Sequence, residues 1–546
     1  MLICIKISAL KHLFKLLFSV IVIVLLTSNC ARKGTPSGGE KDSIAPLMVT
    51  ANPPHKTIHF NSEKIKIYFD EYITLKDVNE QLVISPPLKY IPTITPQGTP
   101  SKYISIKITD TLKENTTYIF NFGNSVQDNN EGNKLERFKY VFSTGDYIDS
   151  LTTKGWVKDA FKKEVENNIS VLLYKVDENF NDSIIYKEKP SYVTSTLDTI
   201  LFDLSNIKKG TYKLIALKES INNYIFNPKE DKIGVYDRFI TLPEDSIITD
   251  PIVLFKETTS FILSRPFEVT KGKIVFGFEG DSNNLKVELL SNTGSDFKSI
   301  SKFEPNKDSL NYWFNDKKRD SLNFKVTAPN FVDTVTVFLR GKKMDSLNIT
   351  QTINSVLDLR DTLSYISNNP ITKIDTSKIS FITKKDSIKV PYTTKIDAKS
   401  NKISFLFDKK HKSRYQLSLY PAALTDIFNT QNDSLSYLFS TKEPEDYGSI
   451  ALTVQKQTNH PVIIELLTEK GVLVQRAYVR QNNVLLNFNL LKPTSYIIRA
   501  IIDANNNNRW DTGNYLQKIN PEKVLYHLVV FKLRANWHLP ETFVIK

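Results

Sequence analysis

Oxygen-bearing side chains are concentrated in one stretch near the end of the chain, IIDANNNNRWDTGNY, which covers residues 501–515. A calcium loop takes side-chain oxygens from positions 1, 3 and 5, a backbone carbonyl from position 7 and, in short versions, a carboxylate from position 9. The stretch supplies this set in order: Asp503, Asn505, Asn507, the Arg509 carbonyl and Asp511. The spacing therefore predicts a Ca²⁺ site, of modest affinity because only two of the ligands are carboxylates.

The same residues also fit a polar turn that holds no ion. Asn and Asp side chains bond their own backbone in turns, so an Asn-rich stretch directly after a strand is typical of such a turn. Asn508 occupies the position where glycine is usual in a calcium loop, although asparagine tolerates the left-handed backbone better than most residues. Both interpretations stay open at this point. If Ca²⁺ binds, we expect it to rigidify the loop.

No other group of residues has the spacing of a reactive site. His55 and His59 lie in the Pro-broken, extended segment PPHKTIHF, where residues four apart are separated by ~13 Å. Asp70 and Glu71 are neighbours on a strand and therefore point to opposite faces. The sequence contains no G-x-S-x-G, no H-E-x-x-H and no P-loop. We therefore predict no catalytic residues and a protein that is not an enzyme.

The first thirty residues predict the compartment. Three lysines precede the apolar run LLFSVIVIVLLTS, which is too short to span a bilayer core of roughly 30 Å comfortably. The run ends in LLTSNC, which resembles the lipobox of bacterial lipoproteins. The resemblance implies that residues 1–29 are a signal peptide and that Cys30 carries an N-terminal lipid. Asn29 departs from the small residue usual before the cysteine, and the alternatives are an uncleaved anchor or an ordinary signal peptide.

The segment after the predicted signal peptide indicates a tether. The chain has two cysteines, and Cys4 lies in the part predicted to be removed, so Cys30 has no partner for an internal disulfide. Residues 30–46 are rich in Gly, Pro, Ser and charge without an apolar period, which is typical of a flexible linker. No acidic run follows Cys30. This absence favours the periplasmic side of the outer membrane over the cell surface, with the membrane as partner through the lipid.

Length and charge narrow the classes of protein further. A chain of 546 residues is too long for one core and should divide into several domains of about 100–150 residues. The formal net charge is +13, but the lysines are scattered among acids. Only DKKHKSR, residues 408–414, is dense, and it lacks interleaved aromatic residues that could stack on bases. We therefore predict no nucleic-acid partner.

Hydrophobic residues alternate with a period of two along most of the chain. The segments KIKIYFDEY, YISIKITD and NISVLLYKV each place every second apolar residue on one face. Turn-forming Asp-Ser pairs recur directly before such segments. Long amphipathic helical patterns are nearly absent after the first thirty residues. The sequence therefore predicts an all-β fold.

One internal repeat pairs two domains. FKYVFSTGDYIDSL, ending an early domain, recurs as LSYLFSTKEPEDYG, and each copy follows a loop led by an aspartate, Asp128 or Asp426. This arrangement resembles the bacterial Ig-like domain of the surface-layer-protein type. The resemblance covers residues 47–145 closely and 370–445 more loosely. It implies a fold and says little about function.

A second repeat pairs two other domains. Residues 211–227 align without gaps on 495–511, which places Glu219 on Asp503 and Ile221 on Asn505. An aliphatic side chain offers no oxygen, so the earlier loop is predicted to be metal-free. The two domains, 146–255 and 446–546, resemble the transthyretin-like or carboxypeptidase-regulatory-like β-sandwich. The segment 256–369 is predicted to be β-rich and of unknown type.

The prediction is therefore an all-β, tandem array of Ig-like and transthyretin-like β-sandwich domains after a lipoprotein signal peptide. Its predicted function is a non-catalytic, lipid-anchored scaffold or interaction protein of the cell envelope, with an unidentified protein or glycan partner. The alternative is a carbohydrate-binding surface lipoprotein of a polysaccharide-capture system. A row of exposed aromatic side chains on one sheet would favour the alternative, and separately buried tryptophans would count against it.

Overall fold

The computed structural model describes residues 42–316 and 319–546, which form five β-modules. The predicted signal peptide, Cys30 and most of the predicted tether lie outside the described residues. Helices in the described ranges are short: α1 (Val78–Gln81) and the 3-10 turns η1 (Asp182–Tyr186), η2 (Thr376–Lys378) and η3 (Pro444–Asp446). The predicted all-β class is confirmed. Across these same ranges, no helix has the length and apolar character needed to cross a bilayer.

Module 1 is a sandwich of two sheets. Its strands are β1 (Met48–Asn52), β2 (Lys64–Leu75), β3 (Val83–Ser85), β4 (Thr93–Thr95), β5 (Ser101–Lys107), β6 (Thr117–Gly123), β7 (Val126–Asp128) and β8 (Phe138–Ser143). One sheet has the order β1-β2-β5-β4 with β7 paired to β2, and the other has the order β3-β6-β8. Ile65, Ile67 and Phe69 point from β2 into the core between the sheets. Burial of each such side chain contributes roughly 1.5–3 kcal/mol, which is why the alternating pattern selects a strand.

Module 2 wraps one eight-stranded sheet around its own core. Its strands are β9 (Leu151–Asp159), β10 (Ser170–Lys175), β11 (Tyr192–Ser195), β12 (Leu201–Ile207), β13 (Gly210–Lys218), β14 (Lys232–Val235), β15 (Ile240–Leu242) and β16 (Ile252–Phe255). The order is β11-β10-β13-β14-β16-β9-β12, with β15 paired to β13 and β16 parallel to β9. Val157 and Phe202 from one end of the sheet share a core with Val171 and Leu214 from the other end.

Module 3 is the β-rich segment without a sequence resemblance. Its strands are β17 (Ile262–Leu263), β18 (Phe267–Thr270), β19 (Lys273–Glu279), β20 (Lys286–Leu289), β21 (Ser299–Phe303), β22 (Ser309–Phe314), β23 (Ser321–Ala328) and β24 (Phe331–Phe338). One sheet has the order β17-β19-β22-β21 with β18 paired to β19, and the other has the order β20-β23-β24. Phe276 from the first sheet packs edge-on against Phe324 from the second, at 5.2 Å between ring centroids.

Module 4 repeats the strand order of module 1. Its strands are β25 (Ile349–Gln351), β26 (Leu363–Ser367), β27 (Ile371–Ile374), β28 (Ile379–Thr383), β29 (Thr393–Ile396), β30 (Lys402–Leu406), β31 (Arg414–Leu419), β32 (Leu424–Asp426) and β33 (Leu435–Ser440). The sheets are β25-β26-β30-β29, β27-β32 and β28-β31-β33. They match module 1 strand for strand, except that the single strand β2 corresponds to the two strands β26 and β27.

This pairing moves the boundary between modules 3 and 4. The sequence places it at 369/370, but β26 pairs with β30, and Ile349, Leu363 and Tyr365 lie in the core of module 4. The boundary therefore falls between β24 and β25. Pro370 has no N–H to donate and follows two asparagines, so the strand equivalent to β2 is interrupted at this point and its first half looks separate in the sequence.

Module 5 repeats the strand order of module 2. Its strands are β34 (Gly448–Lys456), β35 (Val462–Thr468), β36 (Leu473–Val479), β37 (Val484–Leu491), β38 (Ser495–Ile502), β39 (Val524–Tyr526), β40 (Phe531–Lys532) and β41 (His538–Ile545). The sheets are β37-β34-β41 and β36-β35-β38-β39, with β40 paired to β38 and β41 parallel to β34. The two modules also share a local bond: the Tyr212 hydroxyl donates to the Lys208 carbonyl and the Tyr496 hydroxyl to the Lys492 carbonyl, both at 2.8 Å.

Modules 2 to 5 close into a ring. Module 1 is joined to module 2, where the Val193 N–H donates to Ser85 Oγ at 3.1 Å. Each later pair of modules is joined by a side-chain contact. Lys229 pairs with Glu279 between modules 2 and 3, and Lys302 donates to the Asp397 and Ser400 carbonyls between modules 3 and 4. Arg360 donates to Gln475 between modules 4 and 5, and Tyr526 donates to the Phe161 carbonyl between modules 5 and 2. The last contact joins segments that are 365 residues apart.

Candidate functional site

The polar loop, residues 503–511, begins where β38 ends. Asp503 is fully buried, and its carboxylate accepts hydrogen bonds from the Asn507 N–H at 3.0 Å and the Asn508 N–H at 2.9 Å. Asn508 has the left-handed backbone, with φ of 63°, that its position in a calcium loop would require. Both oxygens of Asp503 thus satisfy backbone donors of the loop.

The structure brings the other predicted ligands around Asp511. The side-chain amide nitrogens of Asn505 and Asn507 both donate to Asp511 Oδ2, the first at 2.7 Å. Arg509 Nε lies 3.2 Å from Asp511 Oδ1. A 180° rotation of either amide would exchange its nitrogen for its oxygen in place. Among residues 42–316 and 319–546, no three His, Cys, Asp or Glu side chains are grouped to hold a metal ion, so the Ca²⁺ site stays a prediction.

A residue that the sequence analysis missed closes the loop from outside. Glu522 accepts the Ala504 N–H at 2.7 Å and the Asp511 N–H at 3.1 Å, and so binds both ends of the polar loop. Burial raises the pKa of Glu522, and the nearby carboxylates of Asp511 and Asp503 raise it further, against those two hydrogen bonds. Glu522 lies eleven residues beyond Asp511, outside any calcium-loop pattern, so the sequence carried no signal for it.

The equivalent loop in module 2 has the same internal hydrogen bonds. Glu219 accepts the N–H groups of Asn223 and Tyr224 at 3.0 and 2.6 Å, as Asp503 does in the polar loop. Asp231 accepts the N–H groups of Ser220 and Asn227, as Glu522 does. The two loops therefore share one scaffold of two acids and four backbone donors. Ile221 stands at position 3 of the first loop and offers no oxygen there. The scaffold therefore forms without a full set of metal ligands.

An aromatic contact joins the polar loop to module 2. The Trp510 ring lies 4.7 Å from the Phe161 ring, and its Nε1–H donates to the Glu522 carbonyl at 3.0 Å. The Arg499 guanidinium also stacks on Phe161, 3.8 Å from its ring centroid, and is held by the buried carboxylate of Glu465. Trp510 therefore both closes the polar loop and anchors module 5 on module 2.

The residues after the polar loop continue this docking. Thr512 Oγ donates to the Lys256 carbonyl at 2.6 Å, and the Tyr515 N–H donates to the buried Glu257 carboxylate at 2.5 Å. Gly513 lies against Phe255, and a Cβ at this position would come within 2.8 Å of that ring. Only a glycine allows this approach without displacing the ring.

The inter-module groove lies beside this contact. It consists of two adjoining cavities of about 670 and 420 Å³ that share Val235, Asp237, Arg238, Phe255 and Asn520. Module 2 contributes one wall, and the segment between the polar loop and β39 contributes the other. Junctions between domains are common places for ligand sites of this size.

Some charges in the inter-module groove are paired. Arg238 makes a bidentate ion pair with Asp245, whose carboxylate has a lowered pKa because it bonds that guanidinium. Lys518 lies 3.5 Å from Asp182. By contrast, Lys213, which is 8% exposed, donates to the Tyr236 carbonyl at 2.9 Å and forms no ion pair within the described part of the chain. Burial lowers the pKa of Lys213.

Module 1 carries a tyrosine row, made of Tyr68, Tyr72 and Tyr103, of the kind that would favour the carbohydrate alternative. Tyr68 and Tyr103 face each other across β2 and β5, with ring centroids 5.7 Å apart. The Lys66 ammonium lies 5.0 Å from the Tyr103 ring centroid, and the Lys102 ammonium lies 5.4 Å from that of Tyr72. Tyr72 and Tyr103 are exposed. The two histidines of this module are not brought together: His55 accepts the Val141 N–H and His59 lies near Asp146.

The tryptophans do not form a joint surface. Trp313 is buried in module 3, whereas Trp537 is 44% exposed in module 5. Trp156 donates to the Thr249 carbonyl within module 2. Of the two sequence criteria for carbohydrate binding, the tyrosine row favours it, whereas the criterion of separately buried tryptophans is met by Trp313 alone of the four.

Comparisons with known proteins identify module 1. A family model described as a bacterial Ig-like domain matches residues 42–144. No curated protein is matched by the chain. Because the family match covers less than half of the chain, it assigns the first module and leaves the other four without a family.

Solved structures match the chain at low similarity. Domains 1–6 of the surface layer protein SbsC are 10% identical, with 90% of this chain and 68% of that chain covered and a TM-score of 0.14. The major pilin subunit BcpA of Bacillus cereus is 9% identical, with 72% and 99% covered and a TM-score of 0.14. The I9-I11 tandem from titin is 10% identical, with 52% and 100% covered and a TM-score of 0.11. At these scores the likeness carries no argument about function.

Proposed function

We propose that this protein is a non-catalytic scaffold of the cell envelope, held at the periplasmic face of the outer membrane by a lipid on Cys30. The observation that supports the proposal is the ring of β-modules, because the contacts described above serve to join the modules to one another. In the described residues, Ser449 Oγ lies 2.6 Å from His538 Nδ1 on the surface of module 5, but no carboxylate lies within ion-pair distance of His538 to orient it. A ring of this kind presents several rigid faces to partner proteins.

Fatty-acid labelling tests the anchor. Cells that express the chain are grown with labelled palmitate, and we expect the label on the parent chain and its loss in Cys30→Ser. Cys4→Ser is the matched control, because Cys4 belongs to the segment that cleavage would remove. A parent chain without label, or label that survives Cys30→Ser, would contradict lipidation and leave only the scaffold part of the proposal.

The second candidate function is carbohydrate binding, and the tyrosine row of module 1 is the observation that favours it. The apolar face of a sugar ring stacks on exposed aromatic rings, and Lys66 and Lys102 lie where they could bond its hydroxyl or acidic groups. Binding of a cell-envelope glycan that is lost in the double variant Tyr72→Ala, Tyr103→Ala supports this candidate. Binding to no glycan rules it out.

We also propose that the polar loop binds Ca²⁺ with a dissociation constant near 1 mM. At 10 mM Ca²⁺ such a site stabilises module 5 by about 1.4 kcal/mol, or roughly 7 °C in melting temperature. The shift is measured on the full chain against EGTA and against Mg²⁺. Asp511→Asn, which removes one of two carboxylates, should abolish it, and Asp433→Asn in module 4 should not. A melting temperature that ignores Ca²⁺ would leave the polar turn as the correct interpretation.

A further inference from the structure

Two lysines without a carboxylate partner lie in the inter-module groove, one in each of its cavities. Lys213 lines the larger cavity and Lys158 the smaller one. Within residues 42–316 and 319–546 neither forms an ion pair, although Asp182 and Asp237 act on Lys213 at longer range. Lysine is almost never deeply buried unless it is paired. Asp182, Asp237, Asp250 and Glu522 also line these cavities, but none of them lies within ion-pair distance of Lys158 or Lys213. The groove therefore holds two partly desolvated ammonium groups that no carboxylate contacts directly.

The surroundings of Lys158 favour the binding of an anion more strongly. The nearby charge that acts on it is another lysine, Lys523, which lines the same cavity. Burial and this like charge both lower the pKa of Lys158. A negative group bound between these two ammonium groups would relieve the repulsion and the desolvation together.

The rest of the inter-module groove suits a sugar. The Phe239 ring is 45% exposed, meets Phe180 edge-on at 5.6 Å, and lies 5.6 Å from the Lys213 ammonium. Amide side chains of Asn181, Asn514 and Asn520 line the same cavity. An exposed ring offers a stacking face to a sugar. Asn181 and Asn514 each use their side-chain oxygen for a nearby N–H, and Asn520 donates to Asp237, so the remaining hydrogen-bonding capacity of these amides is available to hydroxyl groups.

The strands that line the groove are poorly suited to an extended peptide. On the module 2 side, β14 lies between β13 and β16, and β16 lies between β14 and β9, so neither has a free edge. On the module 5 side, the edge strand β39 is three residues long. Strand addition needs an open edge of useful length, because main-chain hydrogen bonds supply most of its affinity.

We propose that the inter-module groove binds an acidic oligosaccharide, whose carboxylate or sulfate groups pair with Lys158 and Lys213 while one sugar ring stacks on Phe239. The inference rests on the carbohydrate-binding candidate for the class of ligand. It adds a site distinct from the tyrosine row and specifies the charge of the glycan.

Titration calorimetry on the full chain tests the proposal with four probes: hexagalacturonate, a heparin hexasaccharide, uncharged maltohexaose and the peptide hexaglutamate. We expect at least one acidic hexasaccharide to bind, and maltohexaose and hexaglutamate to bind at least tenfold more weakly. Lys158→Met and Lys213→Met should each weaken binding about tenfold, the loss expected for one charge-assisted hydrogen bond. Lys325→Met, on an exposed face of β23 in module 3, is the matched control and should leave binding unchanged.

Stability distinguishes a ligand site from a structural one. Methionine keeps most of the aliphatic length of lysine and removes a buried charge that has no carboxylate partner, at the loss of one hydrogen bond to the Tyr236 carbonyl, so the ligand-free Lys213→Met chain should melt no lower than the parent. A lower melting temperature would assign Lys213 to the fold.

The remaining outcomes separate this inference from the function on which it rests. If an acidic hexasaccharide binds, ignores both lysine variants and is lost in Tyr72→Ala, Tyr103→Ala, the groove assignment is wrong and carbohydrate binding stands. If neither acidic hexasaccharide binds, the groove assignment is overturned, and with no glycan bound at all the second candidate function falls too. Equal binding of hexaglutamate overturns the saccharide class.

Discussion

At the residue scale, the acids that look like metal ligands in the sequence act first on the backbone. Asp503 and Glu219 each accept two N–H groups from the loop that follows them, and this arrangement is the same in both copies. A backbone N–H that is buried without a partner costs about 1–3 kcal/mol, so each acid has a structural reason to be present. Ca²⁺ binding would be an addition to this role.

The module 2 loop should make stability depend on pH. Burial raises the pKa of Glu219 to about 7, although the Tyr224 and Asn223 N–H groups and Ser170 act the other way. The folded chain therefore holds a proton that the unfolded chain releases near pH 4.5, and folding loses stability as the pH rises from about 4.5 through about 7. The loss is at most about 3 kcal/mol.

Hydrogen exchange in β13 measures this effect within module 2. We expect protection in the parent to fall between pH 5 and pH 7.5, after correction for intrinsic exchange, and to fall less in Glu219→Gln. Glu164→Gln, at an exposed position of the same module, is the control and should behave as the parent. Equal pH dependence in parent and Glu219→Gln would show that Glu219 is ionised throughout.

At the element scale, modules 1 and 4 explain why the Phe-Ser-Thr motif recurs. Thr144 and Thr441, which end the two motifs, accept backbone N–H groups from Thr116 and Ser413 at 3.0 and 3.1 Å. In each module a turn just before a strand is held by the threonine at the end of the neighbouring strand. The motif is therefore a strand with a built-in closing bond, and it marks a fold and no function.

The aspartate-led loops of the same modules allow a matched test. The buried Asp426 accepts the N–H groups of Phe428 and Thr430 and the side-chain amide of Asn369. Asp426→Ala leaves these donors without a partner, so we expect module 4 to lose about 3 kcal/mol or more. Urea unfolding measures the change.

The control for this test is Asp433→Ala, an exposed aspartate seven residues further along the chain, which should change stability by less than about 0.5 kcal/mol. Asp128→Ala should destabilise module 1 in the same way, because Asp128 accepts four backbone N–H groups of its loop. Equal stability of Asp426→Ala and Asp433→Ala would remove the structural role assigned to these loops.

At the scale of the whole molecule, the contact between modules 2 and 5 determines the shape. Without it, modules 2 to 5 would be held by the contacts between successive modules and by the hydrogen bond from Arg509 in module 5 to Asn283 in module 3. With Arg499 stacked on Phe161 and Tyr515 bonded to Glu257, the last module returns to the second and closes the ring. The inter-module groove exists only because of this closure.

Gly513→Val should open the ring. Its side chain would meet the Phe255 ring and the Ile519 carbonyl at less than 3.0 Å, so modules 2 and 5 must separate or Phe255 must leave its pocket. We expect a larger radius of gyration by small-angle scattering with unchanged β content. Gly210→Ala is the control, because its Cβ would make only ordinary contacts at 3.5 Å. An unchanged radius would mean that the contact adapts locally.

Local patterns in the sequence were enough to predict the β class and the pairing of modules. Alternation in segments such as KIKIYFDEY reports which face of a strand is buried, and that information is local. The repeats were visible for the same reason. Tyr212 and Tyr496 each bond a residue close by in the chain, and Thr144 and Thr441 each bond a residue at the adjacent strand.

Only the tertiary structure decided where module 4 begins, and it alone revealed the ring and the groove. Pro370 interrupts a strand whose two halves are recognised as one only through their partners β30 and β32. Lys158, Lys213 and Phe239 share a groove with residues near 520 although about 280 to 360 positions separate them, and no local pattern records such a contact. Glu522 likewise binds its loop from outside any spacing rule, because side chains meet through folding and not through sequence proximity.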